Sequence, residues 1–457
     1  MSADPPSPPA EAEAPGSRIA LGVWDLAWPS MLSFALQTLV GFVDFVIVAA
    51  LGSEAVAAVG VAHQLYFALF AVLAGVTTGS VALVARFMGA GNAREADRVL
   101  RLSALLGCGL GVAMMIAGIP LAESAVGAFG VEPAVVARGA SYLRILLWFN
   151  VPFAFAVVVS MAVRGAGDVR TPLLVGVVVN VLNVVLNYGL VYGRLGMPRL
   201  GTDGSALGTG IAILASAAIW LVMWAANGLA VPRHGWREGL DRARTRRILR
   251  IGVPTALEQG AFQLGLLLFL RIVARYGTEP VSAYLIGVRI LAFSFVPGLG
   301  FSTAGGTLVG QHLGAEEPHL ATRAGWRATR GAVAVMGAVG LAIIVLAHPI
   351  ARIFGATGEA TVGLTVIFIY VLGAAQPLMA VEFALGGSLR GAGDTRFPLM
   401  VILTGLFGVR LVGALAVAEL LHGSVVAVWS CLLADYAVKA AMLSTRFARG
   451  AWQRVRV

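Results

Sequence analysis

RGAGDVRTPL, residues 164–173, returns almost unchanged as RGAGDTRFPL, residues 390–399. Each copy lies between two long apolar stretches, so the chain is an internal duplication whose period is half its length. Other landmarks keep the same offset to within a residue. Pro29 answers to Pro254, and VARFMGA (84–90) answers to VGQHLGA (309–315). Apolar chains built from such repeats are typical of carriers whose two halves rock against each other.

Hydrophobic residues make up 58% of the 457 positions and charged residues 12%, against about 25% charged in a globular domain. Apolar runs such as 173–190 and 332–347 recur throughout, and a membrane span needs about 20 residues. Twelve helices are predicted, at 24–51, 56–84, 100–122, 140–163, 172–193, 205–231, 249–275, 281–310, 326–348, 362–388, 397–420 and 424–447. Barrel strands would be shorter and would alternate. The expected fold is therefore an all-α polytopic membrane protein of twelve transmembrane helices. Each half has six crossings, so both copies enter the membrane from the same side. Two six-helix lobes related by a pseudo-two-fold axis along the membrane normal follow, with a cleft between them. The expected divisions are a disordered tail at 1–17, a first lobe at 18–231, a basic linker at 232–248, a second lobe at 249–448 and a tail at 449–457.

The net charge of +10 gains its meaning from placement and does not point to nucleic acid. Arg233, Arg237, Arg242, Arg244, Arg246, Arg247 and Arg250 crowd the central connection. Arg86, Arg94, Arg98 and Arg101 follow the second helix, Arg323, Arg327 and Arg330 the eighth, and Arg446, Arg449, Arg454 and Arg456 end the chain. All fall on one side if every helix crosses. The other side holds few, among them Arg138, Arg194, Arg199 and Arg352. The positive-inside rule puts both termini in the cytoplasm of a cell whose inner (plasma) membrane the chain spans. Anionic lipid at that face is an expected partner. Cys108 and Cys431 lie inside predicted helices and give neither a disulfide framework nor a metal motif. The stretch 1–17, rich in Pro, Ala and Glu, lacks the basic start of a signal peptide.

The RGAGD copies read as short turns, with Pro172 or Pro398 opening the next helix. Arg164 and Arg390 are placed to reach helix C-terminal carbonyls or lipid phosphate.

Taken together, the paired RGAGDxRxPL turns, the LAWPS…VD…LG pattern of the first helix, VGQHLGA and GVPTALEQ resemble the multidrug and toxic compound extrusion (MATE) family, in its bacterial NorM-type and DinF-like branches. The resemblance covers essentially residues 20–450. It implies export of bulky, often cationic compounds, driven by inward flow of H⁺ or Na⁺. No cofactor is implied beyond that coupling ion, and the chain is read as a monomer.

An ionisable group at a helix centre in a bilayer costs at least about 2.5 kcal/mol on insertion scales, so each needs a partner or a job. Asp44 lies fifteen residues after Pro29, about 22 Å along a helix, which places it in the outer half of the membrane. Asn180, Asn183 and Asn187 share one face of the fifth helix, and Asn187 and Thr209 fall at a similar depth to Asp44. A carboxylate among amide and hydroxyl oxygens can take up H⁺, or it can coordinate Na⁺ through Asp44, Asn183 and Asn187. The resemblance supports this site, since family members carry an acid on the first helix and polar groups where Asn183 and Thr209 stand. Asn187 departs from relatives that have Asp there.

The second half does not repeat the site. It has Glu258, one turn after Pro254, and Glu382, five residues after Pro377, both in the inner third. They are candidates to meet a cationic substrate, with Gln37 and Phe262 or Phe383 lining the cleft, or to form a second proton site. Arg410 and Asp435 are expected to pair with each other. Pro29 and Pro254 are the candidate hinges.

Two other classes compete with export. A flippase for lipid-linked oligosaccharide shares the two-lobe design but needs a basic cavity for pyrophosphate. A non-transporting receptor or scaffold has no use for costly carboxylates in the membrane. No nucleotide-binding loop, HExxH or nucleophile–base pair supports an enzyme.

Overall fold

The computed structural model describes residues 21–234, 241–353 and 358–455. The expected tail 1–17, together with Arg237 and Arg456, lies outside the described residues. Among them the chain is helical, with no strand. The first lobe contains α1 (Val23–Ala49), α2 (Ser53–Gly89), α3 (Ala93–Gly127), α4 (Pro133–Trp148), α5 (Asn150–Gly165), α6 (Arg170–Tyr192) and α7 (Gly201–Ala225). The second contains α8 (Arg242–Val273), α9 (Thr278–Gly314), α10 (Pro318–Val345), the short α11 (Ala347–Ile353), α12 (Glu359–Gly391), the helix Arg396–Leu420 and the last long helix, Val425–Ala448. Eleven helices are long and apolar enough to cross a membrane, and the bent pair α4–α5 makes the twelfth span.

Two spans differ from the sequence reading. The fourth is not one straight helix, because α4 and α5 meet at Phe149 with a bend of 55°. Pro152 explains the break. It has no N–H for the Trp148 carbonyl, and its ring crowds that oxygen. The eleventh span is π-helical over Leu403–Leu411 and again over Ala416–Leu420. Hydrophobic periodicity carries no signal for that widening, which tends to occur at functional positions. The helices also outrun their apolar windows. α2 and α9 have 37 residues each, about 55 Å at 1.5 Å per residue, so their ends stand clear of the hydrocarbon.

The repeated sequence motifs meet across the pseudo-two-fold axis. VARFMGA ends α2 and VGQHLGA ends α9, and the two ends touch backbone to backbone. A Cβ on Gly89 would stand 1.9 Å from the Gln311 carbonyl oxygen, and one on Gly314 would stand 1.9 Å from that of Arg86. No side chain fits at either position, which is why both motifs carry glycine there. The same end is tied by Thr307 Oγ1 donating to the Arg164 carbonyl at 3.1 Å and Gln311 Nε2 donating to the Gly165 carbonyl at 3.2 Å. Farther along, Gly75 of α2 packs on the Gly252 backbone of α8. These approaches between the lobes lie in the halves of α2, α8 and α9 nearest the Arg-rich end. The molecule is closed at that end.

Candidate functional site

Asp44 sits near the far end of α1, against α6 and α7. Asn187 Nδ2 donates to Asp44 Oδ1 at 2.5 Å. With its nitrogen turned toward the carboxylate, the Asn183 amide donates to both Asp44 oxygens at 3.1 and 3.2 Å. Its oxygen then accepts from the Thr209 hydroxyl at 3.2 Å. Asn187 is fully buried, and its side-chain oxygen has no hydrogen-bond partner. Two amides of α6, one of them backed by the Thr209 hydroxyl of α7, thus cage one carboxylate. Among the described residues no Lys or Arg forms an ion pair with Asp44. Just beyond the cage, Tyr192 Oη donates to the Ile47 carbonyl at 2.8 Å, fixing the end of α1 to α6.

The local sequence makes this cage. Asn183 and Asn187 are four apart on α6 and share a face. The small residues of GTDGSALGTG let α7 approach that face closely enough for Thr209 to reach Asn183. Asn180 is half-buried one turn away, has no side-chain hydrogen bond and is not part of the cage. Gln37 is exposed and Phe262 half-buried, and neither touches the cage through a hydrogen bond or ring contact. Pro29 and Pro254 lie within α1 and α8, both of which run on unbroken.

The candidate acids of the second lobe are not open carboxylates. Glu258 Oε1 accepts from Arg390 Nη1 at 2.8 Å. That overturns the reading of Arg390 as a ligand of carbonyls or lipid phosphate, because the half-buried guanidinium is taken up by an acid. Glu382 lies 3.5 Å from Lys439 Nζ, which is also 3.3 Å from Asp435. Arg410 pairs with Asp435, as the sequence reading expects. The pair is one end of a chain, however: Arg410, Asp435, Lys439 and Glu382 alternate in sign. Tyr436 lies beneath both cations, 5.1 Å from the Arg410 guanidinium and 4.9 Å from Lys439 Nζ. Arg164, the first-lobe counterpart of Arg390, is buried. It lies 5.1 Å over the Phe34 ring and not against lipid or carbonyls. Ser33 stands where Glu258 stands in the other repeat, four residues after the proline.

Sequence reasoning passed over two residues. Lys439 is fully buried and is the only lysine in the chain. A lone lysine among arginines, inside a membrane helix, is a compositional signal that could have found it. Arg289 of α9 is exposed and lies 6.0 Å over the Phe45 ring, beside Asp44 in the chain. It brings a cation from the second lobe to the Asp44 end of α1.

Two six-helix lobes closed at one end, with a caged carboxylate at the other, define a duplicated membrane protein of transporter architecture. The MatE family profile matches residues 29–189 and again 254–415, and the chain belongs to that family. Both halves match separately, as the duplication requires. Among curated relatives, a probable multidrug resistance protein NorM of Bradyrhizobium diazoefficiens is 30% identical, covering 92% of this chain and 91% of that protein. A protein of the same description from Thermotoga maritima is 28% identical, covering 94% and 92%. Among solved structures, a MOP superfamily transporter from Pyrococcus furiosus superposes with a TM-score of 0.89 at 23% identity, over 95% of this chain and 96% of that one. The outward-facing conformation of a multidrug resistance MATE family transporter gives 0.87 at 23% identity, over 94% and 96%.

Proposed function

We propose that this protein is a secondary active exporter of bulky, often cationic or amphiphilic organic compounds, working by alternating access in antiport with H⁺ or Na⁺. The observation that carries the reading is the Asp44 cage. An ionised carboxylate in a membrane helix, held by Asn187 and Asn183 and paired with no Lys or Arg among the described residues, is stable only while those donors face it. A cation arriving at Asp44 removes the reason for that arrangement and loosens the α1–α6 seam. The groups facing the carboxylate are N–H donors, which stabilise its ionised form and must turn away when either cation binds. Na⁺ would need oxygens, which the orphaned Asn187 oxygen, the Asn183 oxygen and the Thr209 hydroxyl could turn in to supply.

The positive-inside rule places the closed, Arg-rich end in the cytoplasm, so this conformation faces outward. Cation uptake at Asp44 and binding of substrate then need only favour opposite conformations, which is a coupling free energy between the two sites. The cleft walls near Gln37 and Phe262 are where the compound passes. Glu258 and Glu382 serve a cationic substrate only when Arg390 and Lys439 let go. The description of two curated relatives as probable multidrug resistance proteins supports this reading.

The test is efflux of a fluorescent organic cation from purified protein in liposomes, under a pH gradient and a Na⁺ gradient imposed separately. Flux under one gradient, lost in Asp44→Asn, names the coupling ion. Full gradient-driven flux in correctly inserted Asp44→Asn would refute the assignment of Asp44.

A further inference from the structure

Away from the cleft, at the Arg-rich end of the first lobe, a cavity of ≈ 270 Å³ lies between α3, α5, α7 and the start of α8. Arg98, Arg101, Arg244 and Asp241 form its rim, and Leu105, Phe155 and Leu221 line its depth down to Cys108. Leu105 and Leu221 are 59% and 52% exposed, so the depth opens sideways onto the surface that faces lipid.

The rim is held in place. Arg98 and Arg244 both pair with Glu95, the latter at 3.0 Å, and Arg244 also reaches Asp241 at 2.7 Å. Arg101 lies 2.6 Å from Asp97, which also accepts from the His234 backbone N–H at 2.7 Å. Each rim arginine thus has an acid partner, and the surplus positive charge comes from the segments that carry the rim. Residues 93–101 and 241–250 carry eight arginines against three carboxylates. The depth matches a lipid. α3 has 35 residues, about 52 Å, against about 30 Å of hydrocarbon, so its first turns stand among headgroups. From Arg98 to Cys108 is about 15 Å along the helix.

We propose that this cavity binds an anionic phospholipid of the cytoplasmic leaflet, its phosphate at the arginine rim and its acyl chain along Leu105, Phe155 and Leu221. A basic pocket between membrane helices that continues into an apolar groove suits that ligand. A free phosphate would leave the groove empty. The leaflet rests on the orientation given above, but the site does not. Because α3 belongs to the first lobe and Arg244 opens the second, the bound lipid joins the two lobes on their Arg-rich side.

The experiment is native mass spectrometry of the full-length protein in mild detergent, with equal phosphatidylglycerol and phosphatidylcholine of matched chains. The wild type is expected to retain phosphatidylglycerol selectively, even with millimolar inorganic phosphate present. Arg101→Gln should lower that retention about fivefold, the equivalent of one surface arginine. Leu105→Trp and Leu221→Trp fill the groove from exposed positions with every charge intact, and should lower it too. Equal retention of both lipids by the wild type, displacement of the lipid by phosphate, or undiminished retention in both Trp variants would overturn the proposal. None of these results depends on whether the Asp44 flux assay succeeds.

Discussion

Asn187 holds the Asp44 carboxylate through a short contact at full burial, so its removal should register directly in coupling. A hydrogen bond to a charged group contributes about 1.5–3 kcal/mol. Asn187→Ala is expected to lower gradient-driven efflux roughly tenfold or more, measured in liposomes at matched protein content. Lys439 tests a different balance. Lys439→Met leaves Glu382 and Asp435 without their shared cation and should destabilise the protein by about 3–5 kcal/mol. Adding Glu382→Gln should recover part of that loss. Thermal unfolding in detergent of the two single variants and the double variant completes the cycle, and simple additivity would show that the two residues do not interact. The first-lobe cage is legible in the sequence because a depth count from Pro29 and a spacing of four on one helix suffice to assemble it. The second-lobe pairs are not. Glu258 and Arg390 are 132 residues apart, and nothing local says that an acid near a helix start will meet an arginine from a turn.

The α1–α6 seam is the element through which the cage acts. Besides the amide donors, it is held by the bond from Tyr192 to the Ile47 carbonyl. Tyr192→Phe removes only that hydroxyl, and a net cost of about 1 kcal/mol is expected. Spin labels on the far ends of α1 and α6 should then show a broader distance distribution, with the Arg-rich end unaffected. An unchanged distribution would mean that the cage alone fixes the seam. Twelve apolar stretches could be read in advance because each must span the bilayer. The bend at Phe149 could not, since proline alone does not say which span breaks: α1 and α8 run on through Pro29 and Pro254. Nor could the π-helical eleventh span, which keeps its hydrophobic pattern while its hydrogen bonds shift.

For the molecule as a whole, closure at the Arg-rich end depends on α2 and α9 meeting with no side chain between them. Gly89→Val or Gly314→Val should hold that end open. Spin labels at the ends of α2 and α9 would move apart, and efflux would fall to background in protein that still inserts. Retained flux with an unchanged distance would show that the backbones can slide past the added bulk. The duplication was visible at once in the sequence. That its copies touch at the axis was not, because two motifs 225 residues apart say nothing about facing each other. The lone lysine offers a use of its own. Apart from the α-amino group, an amine-selective acylating reagent finds a single side-chain target in this protein, enclosed between two carboxylates. Its rate of acylation is therefore a built-in clock for the breathing of the second lobe, readable in unmodified protein and in any lipid.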